Sequence, residues 1–533
     1  MWAPDVAVAC ALIALAGWSF WQRWQLVTAS PFPVGVDGYF YPIELRSLLE
    51  HGRLQYPASP LAFYLMAPFA AITDPITGAK LGAAVFGAAI AGPAYGVGAR
   101  LGGSRGAGLV AAALATTSVG SAYLTIEFIK NGIGVTVGLT ALWLVLRATD
   151  RSHEGGPPPR PLGRPHPPRS GFADRGSRRR VAAAIAGLAA AYATHKMAAA
   201  IVLVVAIPVA LAAAAGHGAI RGRRLLYAIG ALGLLATAVL VIGAVFPQRF
   251  LSTADAGLIR GLGSATLRWT APALVAPTGE LTLGHDALLG IVLALVAVIA
   301  LLARGIHRRS PARRDRPGAE AAAAPVTAAS WSILLLAIGV GLPFLAVTDP
   351  EGLGFRLRIA AFVPAALSAA IAARVVLGVG PRRGILLVVV ALALAVLRQP
   401  GTRLEGEVVT HPALVAAAQA LNGHIPGDAT LIVPERQIAF LVAWYTRAAV
   451  AIRPGPVPPA HRLRLLTLHF IGEGSPLDRE LLAARREPSL VPPLGVHPRH
   501  PNGLVLVAEP TWTWILARLP PADRAHFTAW PTI

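Results

Sequence analysis

The residue with the clearest chemical potential is Asp37, within the polar and aromatic stretch 33–64 that follows the first hydrophobic segment. Its neighbours are two glycines and three aromatic residues: Gly35, Gly38, Tyr39, Phe40 and Tyr41. A carboxylate held just outside a membrane, beside flexible backbone and aromatic rings, can serve as a general base toward a bulky lipid-linked substrate. The alternative is a solvated surface acid next to the aromatic belt of a membrane interface.

Further charged residues stand at the ends of apolar segments, on the side of the membrane to which Asp37 is assigned below. They are Glu127, Lys130, His195, Lys196, Arg356 and Arg358. Ionisable groups at membrane depth are costly and usually functional, or else they reach to the interface. Taken singly, each can be an ordinary loop charge. Together they supply one candidate base and several cations, and Lys and Arg hold phosphate groups through charge-assisted hydrogen bonds.

The composition is that of a polytopic membrane protein. The 533 residues are 55% hydrophobic and only 14% charged, and the mean hydropathy is +0.59. The net charge of +21 is concentrated in short loops between apolar segments, which is typical of membrane orientation signals and not of nucleic-acid binding. Cys10 is the single cysteine, which excludes an intrachain disulfide and a cysteine-based metal site.

Apolar segments of about 20 residues predict membrane-spanning helices. Eleven are predicted, at about 3–24, 77–99, 107–125, 131–147, 181–194, 196–215, 225–246, 286–303, 329–347, 359–378 and 384–398. The first is interpreted as an uncleaved span, because aromatic residues stand where a cleavage site needs small ones. The apolar segment 61–73 is short, which favours an interfacial helix over a span.

Arginine clusters orient these spans. They lie in the loops at 147–180, 221–224, 304–316 and 382–383, which the positive-inside rule assigns to the cytoplasm. The prediction is therefore a protein of the cytoplasmic (inner) membrane, with a cytoplasmic N-terminus and an extracytoplasmic C-terminus. The loop that carries Asp37 and the other charged positions then lies on the extracytoplasmic side.

The predicted fold is mainly α, a transmembrane helical bundle of about 11 spans with a small C-terminal α/β domain. The bundle covers 1–399, including an outer loop with interfacial helices at 28–76, and the extracytoplasmic domain covers 400–533. Two cytoplasmic loops, 150–179 and 305–328, are rich in Pro, Gly, Arg or Ala and are predicted to be disordered. The histidines of the C-terminal domain lack a recognisable metal-ligand spacing.

The order of these motifs resembles the GT-C superfamily of polytopic glycosyltransferases, in the branch of protein O-mannosyltransferases and lipid A aminoarabinose transferases. That family has an acid in its first outer loop and an interfacial helix that begins Pro-Pro-Leu. Asp37 matches the acid, and Ser59-Pro60-Leu61 matches the start of the helix. Thr194-His195-Lys196, followed by an apolar run to Pro208, resembles the family's Thr-Lys motif.

The resemblance covers roughly 30–370, with departures. Lys130-Asn131-Gly132 stands where the family often has Arg-Pro-Asp, so the cation is kept in kind but the second acid is replaced by Asn131. Either Arg356 or Arg358, before Pro364, resembles the arginine that opens a late span of the family. The acidic metal signature of oligosaccharyltransferases does not follow Asp37. A metal-independent mechanism without cofactor is therefore favoured, although a divalent metal is not excluded.

The resemblance implies an integral-membrane glycosyltransferase that moves a sugar from a polyprenyl-phosphate donor to an extracytoplasmic glycan, lipid or protein acceptor. Asp37 would be the catalytic base, and Lys130, Lys196 and Arg356 or Arg358 would hold the donor phosphate. The remaining predicted contacts to substrate are Tyr39, Tyr41, Glu127 and His195. The alternative is a non-catalytic protein of envelope assembly, such as a lipid-linked-sugar carrier or a scaffold. A carrier would place its charges near mid-membrane, whereas these lie at helix ends.

Overall fold

Helices predominate in the part of the chain that the computed structural model describes: 78% of those residues are helical, and a small sheet lies near the C-terminus. Apart from isolated positions, it describes the ranges 3–56, 58–149, 172–216, 266–269, 283–307, 317–341, 345–348, 358–377, 410–451, 461–487 and 503–529.

The elements before residue 400 are mainly long helices. The helices are α1 (Ala3–Thr28), α2 (Phe40–His51), α3 (Leu61–Ile72), α4 (Pro75–Ala89), α5 (Ala91–Gly102), α6 (Arg105–Thr116), α7 (Val119–Ile126), α8 (Ile129–Ala148), α9 (Phe172–Thr194), α10 (Lys196–Gly216), α11 (Leu283–His307), α12 (Pro317–Gly341) and α13 (Phe362–Leu377). The strands β1 (Thr266–Trp269) and β2 (Leu345–Thr348) pair antiparallel.

Seven helices in the described ranges are long and apolar enough to cross a membrane, which indicates a multi-pass membrane protein. They are Val6–Thr28, Pro75–Gly102, Ile129–Ala148, Lys196–Ala215, Leu283–Ala303, Ala323–Val340 and Arg358–Val376. The second of these comprises α4 and α5 together. The pair α6 and α7, bent by 46°, would make an eighth span if the two are counted together. The predicted span at 181–194 lies in α9, which is not among these seven. The spans predicted at 225–246 and 384–398 fall outside the continuously described ranges.

The segment 61–73 is a short helix, as predicted, and its interfacial position stays a prediction. This segment forms the short apolar helix α3 of 12 residues, about 18 Å long, which cannot cross a bilayer core of about 30 Å.

The predicted disorder is partly wrong. Residues 172–179 belong to α9, residues 305–307 to α11, and residues 317–328 to α12. The stretch 317–328 is alanine-rich, and alanine has the highest helix propensity. The stretch 172–179 has only one alanine, and it is helical as the direct N-terminal continuation of the apolar part of α9. The remaining parts of the two predicted loops, 150–171 and 308–316, fall outside the described residues.

The bend between α6 and α7 is held by two buried charged side chains. The Arg23 guanidinium, on α1, donates to the Thr116 carbonyl at 2.9 Å and to Ser121 Oγ at 2.7 Å. From α11, Asp286 Oδ2 accepts the Gly120 backbone N–H at 2.9 Å. Backbone groups freed by a break inside an apolar bundle need such partners. The two side chains therefore fix the direction of α7, which leads to the candidate site.

The C-terminal domain is α/β, as predicted, around a four-stranded sheet. Its elements are α14 (Pro412–Ala420), β3 (Thr430–Ile432), α15 (Arg436–Thr446), β4 (Ala449–Ala451), β5 (Arg462–Thr467), α16 (Leu468–Ile471), α17 (Pro476–Arg486), β6 (Leu504–Ala508), α18 (Glu509–Arg518) and α19 (Pro521–Ala529). The strand order is β4-β3-β5-β6. β3 runs parallel to β4 and β5, and β6 is antiparallel to β5.

This domain packs directly on the loop that carries Asp37. Phe40 at the start of α2 contacts Phe440 of α15, with ring centroids 5.1 Å apart. Arg46 of α2 donates to the Trp444 carbonyl at 2.9 Å. Buried side chains of α2, α3, α15 and β3 form one continuous apolar cluster. The two domains thus share a core, and α15 lies against the predicted catalytic loop.

Candidate functional site

The loop that presents Asp37 is a tight turn, and its glycines serve close packing. Gly35 has φ +89°, and a Cβ there would lie 2.4 Å from the Ile126 carbonyl oxygen. A Cβ on Gly38 would lie 2.7 Å from the Val34 carbonyl oxygen, and the Gly38 N–H donates to the Gly35 carbonyl at 3.0 Å. Only glycine fits such approaches. The two residues therefore fix Asp37 against the end of α7, where flexibility was the expectation from sequence.

The Asp37 side chain is nearly buried and incompletely bonded. The residue is 8% exposed, and Oδ1 lies 2.8 Å from Nε of Arg436, the first residue of α15. Oδ1 is buried and accepts no hydrogen bond with good geometry from the described residues, so this contact is an ion pair without an aligned N–H. The carboxylate therefore keeps acceptor capacity for the hydroxyl group of a substrate.

Opposing effects set the protonation of Asp37. Burial raises the pKa of this carboxyl group, while the positive charges of Arg436 and Lys130 act to lower it. Burial prevails, so the pKa stays above its ordinary value. A raised pKa makes a carboxylate a stronger base once it is ionised.

Lys130 reaches the site from the first turn of α8. Its Nζ lies 5.8 Å from the centroid of the Phe40 ring, and its backbone N–H donates to the Tyr41 hydroxyl at 3.4 Å. These contacts tie α8 to the start of α2. The structure thus brings Asp37 and Lys130, which are far apart in sequence, into electrostatic contact.

Lys196 opens α10 and lies within electrostatic range of Lys130. The approach depends on Gly134, one turn after Lys130 on α8, because a Cβ there would lie 2.6 Å from the Cβ of His195. His195 therefore sits against the backbone of α8 at the junction of α9 and α10. The Thr194-His195-Lys196 motif is brought to the same end of the bundle as Asp37, which we call the Asp37 end.

Glu127 anchors the loop. Its Oε2 accepts the backbone N–H of Val36 at 2.8 Å, one residue before Asp37. Burial raises the pKa of Glu127, the N–H of Val36 acts to lower it, and the negative charge of Asp37 adds to the rise. The observed contact is structural, so the predicted role of Glu127 in binding substrate stays a prediction.

The tyrosine rings are packed inside the protein. Tyr39 is 2% exposed and Tyr41 is 1% exposed. The Tyr39 hydroxyl lies 3.4 Å from that of Tyr445 in α15, and burial raises the pKa of both Tyr39 and Tyr41. Their observed role is to seat α2 against α8 and α15. A contact with sugar or lipid also stays a prediction.

Arg356 falls outside the described residues, and Arg358 begins the span Arg358–Val376. No contact within the described ranges joins Arg358 to Asp37 or to the lysines. It nevertheless shares a feature with Lys130 and Lys196, since each opens a helix that lines one apolar groove. This groove is narrow, and its lining includes Val135, Ala198, Ile201, Ile333, Val363 and Pro364.

Two further residues of the site were not predicted. Arg436 lies almost 400 positions after Asp37, in a domain that resembles no family from its sequence, and no local signal links the two. Glu44 is fully buried on α2, where its oxygens accept the backbone N–H groups of Gln55 and Tyr56, each at 2.8 Å. Burial raises its pKa to about 6, against the effect of those two hydrogen bonds. The sequence signal that could have predicted a buried Glu44 is its position among apolar residues in PIELRSLL.

The described residues contain no group of three His, Cys, Asp or Glu side chains placed to hold a metal ion. The metal-independent mechanism remains a prediction. No protein-family model matches the chain, and a search of curated proteins finds no relative.

Proposed function

We propose that this protein is an integral-membrane glycosyltransferase that moves a sugar from a polyprenyl-phosphate donor to an acceptor outside the cytoplasmic membrane. The observation that carries the proposal is the grouping of Asp37, Lys130, Lys196 and Arg436 at one end of the bundle. They come from four separate segments. An acid with spare acceptor capacity, surrounded by cations, suits attack of a hydroxyl on the anomeric carbon of a sugar, from which polyprenyl phosphate departs as the leaving group.

The apolar groove supports a lipid-linked donor. Ala198 lies two residues after Lys196, and Val135 lies five residues after Lys130, so the groove begins about one helical turn below the cations. A phosphate at the lysines would therefore have its prenyl chain beside apolar side chains of α8, α10, α12 and α13. Arg358 would stand at the rim of the same groove.

In the proposed mechanism, Lys130 and Lys196 hold the donor phosphate and stabilise the negative charge that develops as the sugar–oxygen bond breaks. Asp37 accepts the proton of the acceptor hydroxyl as the new glycosidic bond forms. Arg436 holds Asp37 in place. The eleven-span topology, with the Asp37 end and the C-terminal domain facing outward, belongs to this proposal.

The test is a transfer assay with purified protein in proteoliposomes and a panel of polyprenyl-phosphate sugars. Ile201→Trp places a large ring in the groove and should raise KM most for donors with long prenyl chains. Ile299→Trp is the matched control, because Ile299 is 66% exposed on α11, away from the groove. No transfer with any donor, or equal behaviour of the two variants, contradicts the proposal.

One observation favours the second candidate, a non-catalytic lipid-linked-sugar carrier or scaffold. The contact between Asp37 and Arg436 could serve only to join the two domains. Two results together would favour that function. The wild type would bind a polyprenyl-phosphate sugar without turnover, and Asp37→Asn would leave this binding unchanged.

A further inference from the structure

A cationic cavity lies where the C-terminal end of α2 meets the C-terminal end of α15. It is open to solvent and is lined by Arg46, Glu50, His51, Arg53, Leu54 and Arg447 among others. Both helices lead to it from the candidate site, since Arg436 and Arg447 stand at opposite ends of α15. That helix has 11 residues, so the cavity is about 16 Å from Asp37.

The charges of the cavity are not balanced by the protein. Glu50 is its single acidic lining residue, and this carboxylate pairs with Arg447 at 3.3 Å. Arg46 is held with its guanidinium 4.3 Å from the Trp444 ring centroid, and it donates to the Trp444 carbonyl. Arg53 is exposed and has no acidic partner among the described residues. Burial, followed by the positive charge of Arg447, lowers the pKa of Arg46, and the negative charge of Glu50 acts in the opposite direction.

Backbone strain at Arg447 is consistent with a retained function. Arg447 has φ 58° and is, within the described ranges, the one residue other than glycine with a positive φ. A helix C-cap in this conformation normally carries Gly or Asn, because an L side chain is strained there. A strained residue at a domain junction is a reason to look for a role of its side chain.

We propose that this cavity binds a phosphate or carboxylate group carried by the acceptor. Guanidinium groups bind such oxyanions in bidentate geometry, and three of them surround the same open volume. A soluble or polymeric acceptor is favoured over a membrane lipid, because Leu54 is the main apolar side chain of the lining and offers no seat for acyl chains. The inference rests on the proposed function, since it names the acceptor class of that site.

The chain allows a local readout of binding. Cys10 is its only cysteine, so Cys10→Ser together with Leu49→Cys places one fluorophore beside Glu50. Leu49 is 45% exposed, which makes it accessible to labelling. The labelled full-length protein in zwitterionic nanodiscs is titrated with inorganic pyrophosphate while its fluorescence is recorded. A titration with sodium chloride at equal ionic strength is the control for salt effects.

Two variants remove charge without threatening the fold. Arg53→Gln changes an exposed side chain, and Arg447→Gly removes a cation while relieving the backbone strain, so its unfolding temperature should be unchanged or higher. Each should weaken pyrophosphate binding about tenfold. Arg486→Gln is the matched control: it removes an exposed arginine at the end of α17, outside the cavity, and should bind as the wild type does.

The inference is overturned by no response to pyrophosphate, or by equal binding in all variants. It is also overturned by a response that requires phosphatidylglycerol in the nanodiscs, which would identify a lipid site. The titration needs neither donor nor turnover. A protein without transferase activity can therefore still show the site, and an active protein without a response overturns this inference alone.

Discussion

Among the acid–arginine pairs in or against the C-terminal domain, those of Glu509 and Asp37 differ in how completely the acid is bonded. Glu509, at the start of α18, accepts two hydrogen bonds from the guanidinium group of Arg464 in β5. Nε donates to Oε2 at 3.0 Å, and Nη2 donates to Oε1 at 3.1 Å. Arg464 also stacks on Trp512, 5.1 Å from its ring centroid. This is the bidentate geometry of a structural pair.

The second pair, Asp37 and Arg436, joins the domain to the membrane-spanning part. Arg436 is half exposed and approaches through Nε alone. Its two Nη groups have no acceptor among the described residues. The Asp37 carboxylate is as buried as many structural acids, yet it lacks their hydrogen bonds.

This difference in hydrogen bonding indicates a structural role for the Glu509 pair and a functional role for the Asp37 pair. A buried carboxylate without hydrogen bonds is costly, and proteins tolerate it mainly where chemistry uses it. The Glu509 pair explains why β5 and α18 stay together. The Asp37 pair leaves acceptor sites on the acid and donor sites on the arginine, both available to a ligand.

The largest effect is expected for Asp37→Asn, which removes the proposed base and leaves the side-chain volume unchanged. We expect transfer to fall about 10³-fold, since general-base catalysis contributes on this scale. The free energy of unfolding should change by less than about 1 kcal/mol, because the partner Arg436 is half exposed. Glu473→Gln, at an exposed turn, is the control. Full activity of Asp37→Asn removes this residue from the mechanism.

The reverse pattern is expected for Glu509→Gln. It leaves the buried Arg464 charge uncompensated, which should lower the free energy of unfolding by about 3 kcal/mol. Denaturation of the detergent-solubilised protein measures this change. Transfer per folded molecule should be unchanged. Glu480→Gln, which breaks an exposed pair with Arg518, should cost less than about 1 kcal/mol. If Glu509→Gln instead reduced turnover without loss of stability, the two pairs would not differ in role.

Glu44 gives an intermediate case, a buried acid bonded only by backbone. Its pKa of about 6 exceeds the ordinary 4.5, so the unfolded state loses this proton first as pH rises. Stability should therefore fall between pH 4.5 and 6 by at most about 2 kcal/mol, and remain lower above that range. The difference in unfolding free energy between wild type and Glu44→Gln, measured across this range, should show this dependence. A flat difference contradicts the assignment.

The smallest effect is expected for Arg436→Gln. It removes one of the two charges that lower the pKa of Asp37, so that pKa rises further. The acidic limb of the profile of kcat/KM against pH should move to higher pH, so the loss of activity should be greatest at the acidic end of the profile. Arg486→Gln provides the comparison. An unmoved limb with reduced activity would indicate that Arg436 contacts substrate without tuning Asp37.

Apolar patterning predicted much of the bundle, because a helix in lipid satisfies its own backbone and needs only length and hydropathy to be recognised. Most of the described spans begin and end near the predicted positions, and α3 is short as expected. The alanine-rich stretch 317–328 was wrongly predicted to be disordered, because alanine-rich sequence also favours helix. The bend at α6 and α7 was missed, because Arg23 and Asp286 act on it from distant helices.

The sequence by itself determined the membrane character of this protein, the α/β character of its C-terminal domain, and the identity of Asp37, Lys130 and Lys196 as residues worth examining. These depend on local composition and on charges at helix ends. Only the tertiary structure decided that Gly134 lets His195 and Lys196 approach α8, and that α15 brings Arg436 to Asp37. Such contacts join residues that are far apart in the sequence. They depend on side-chain packing and on the direction of hydrogen bonds, and no repeating sequence pattern predicts them.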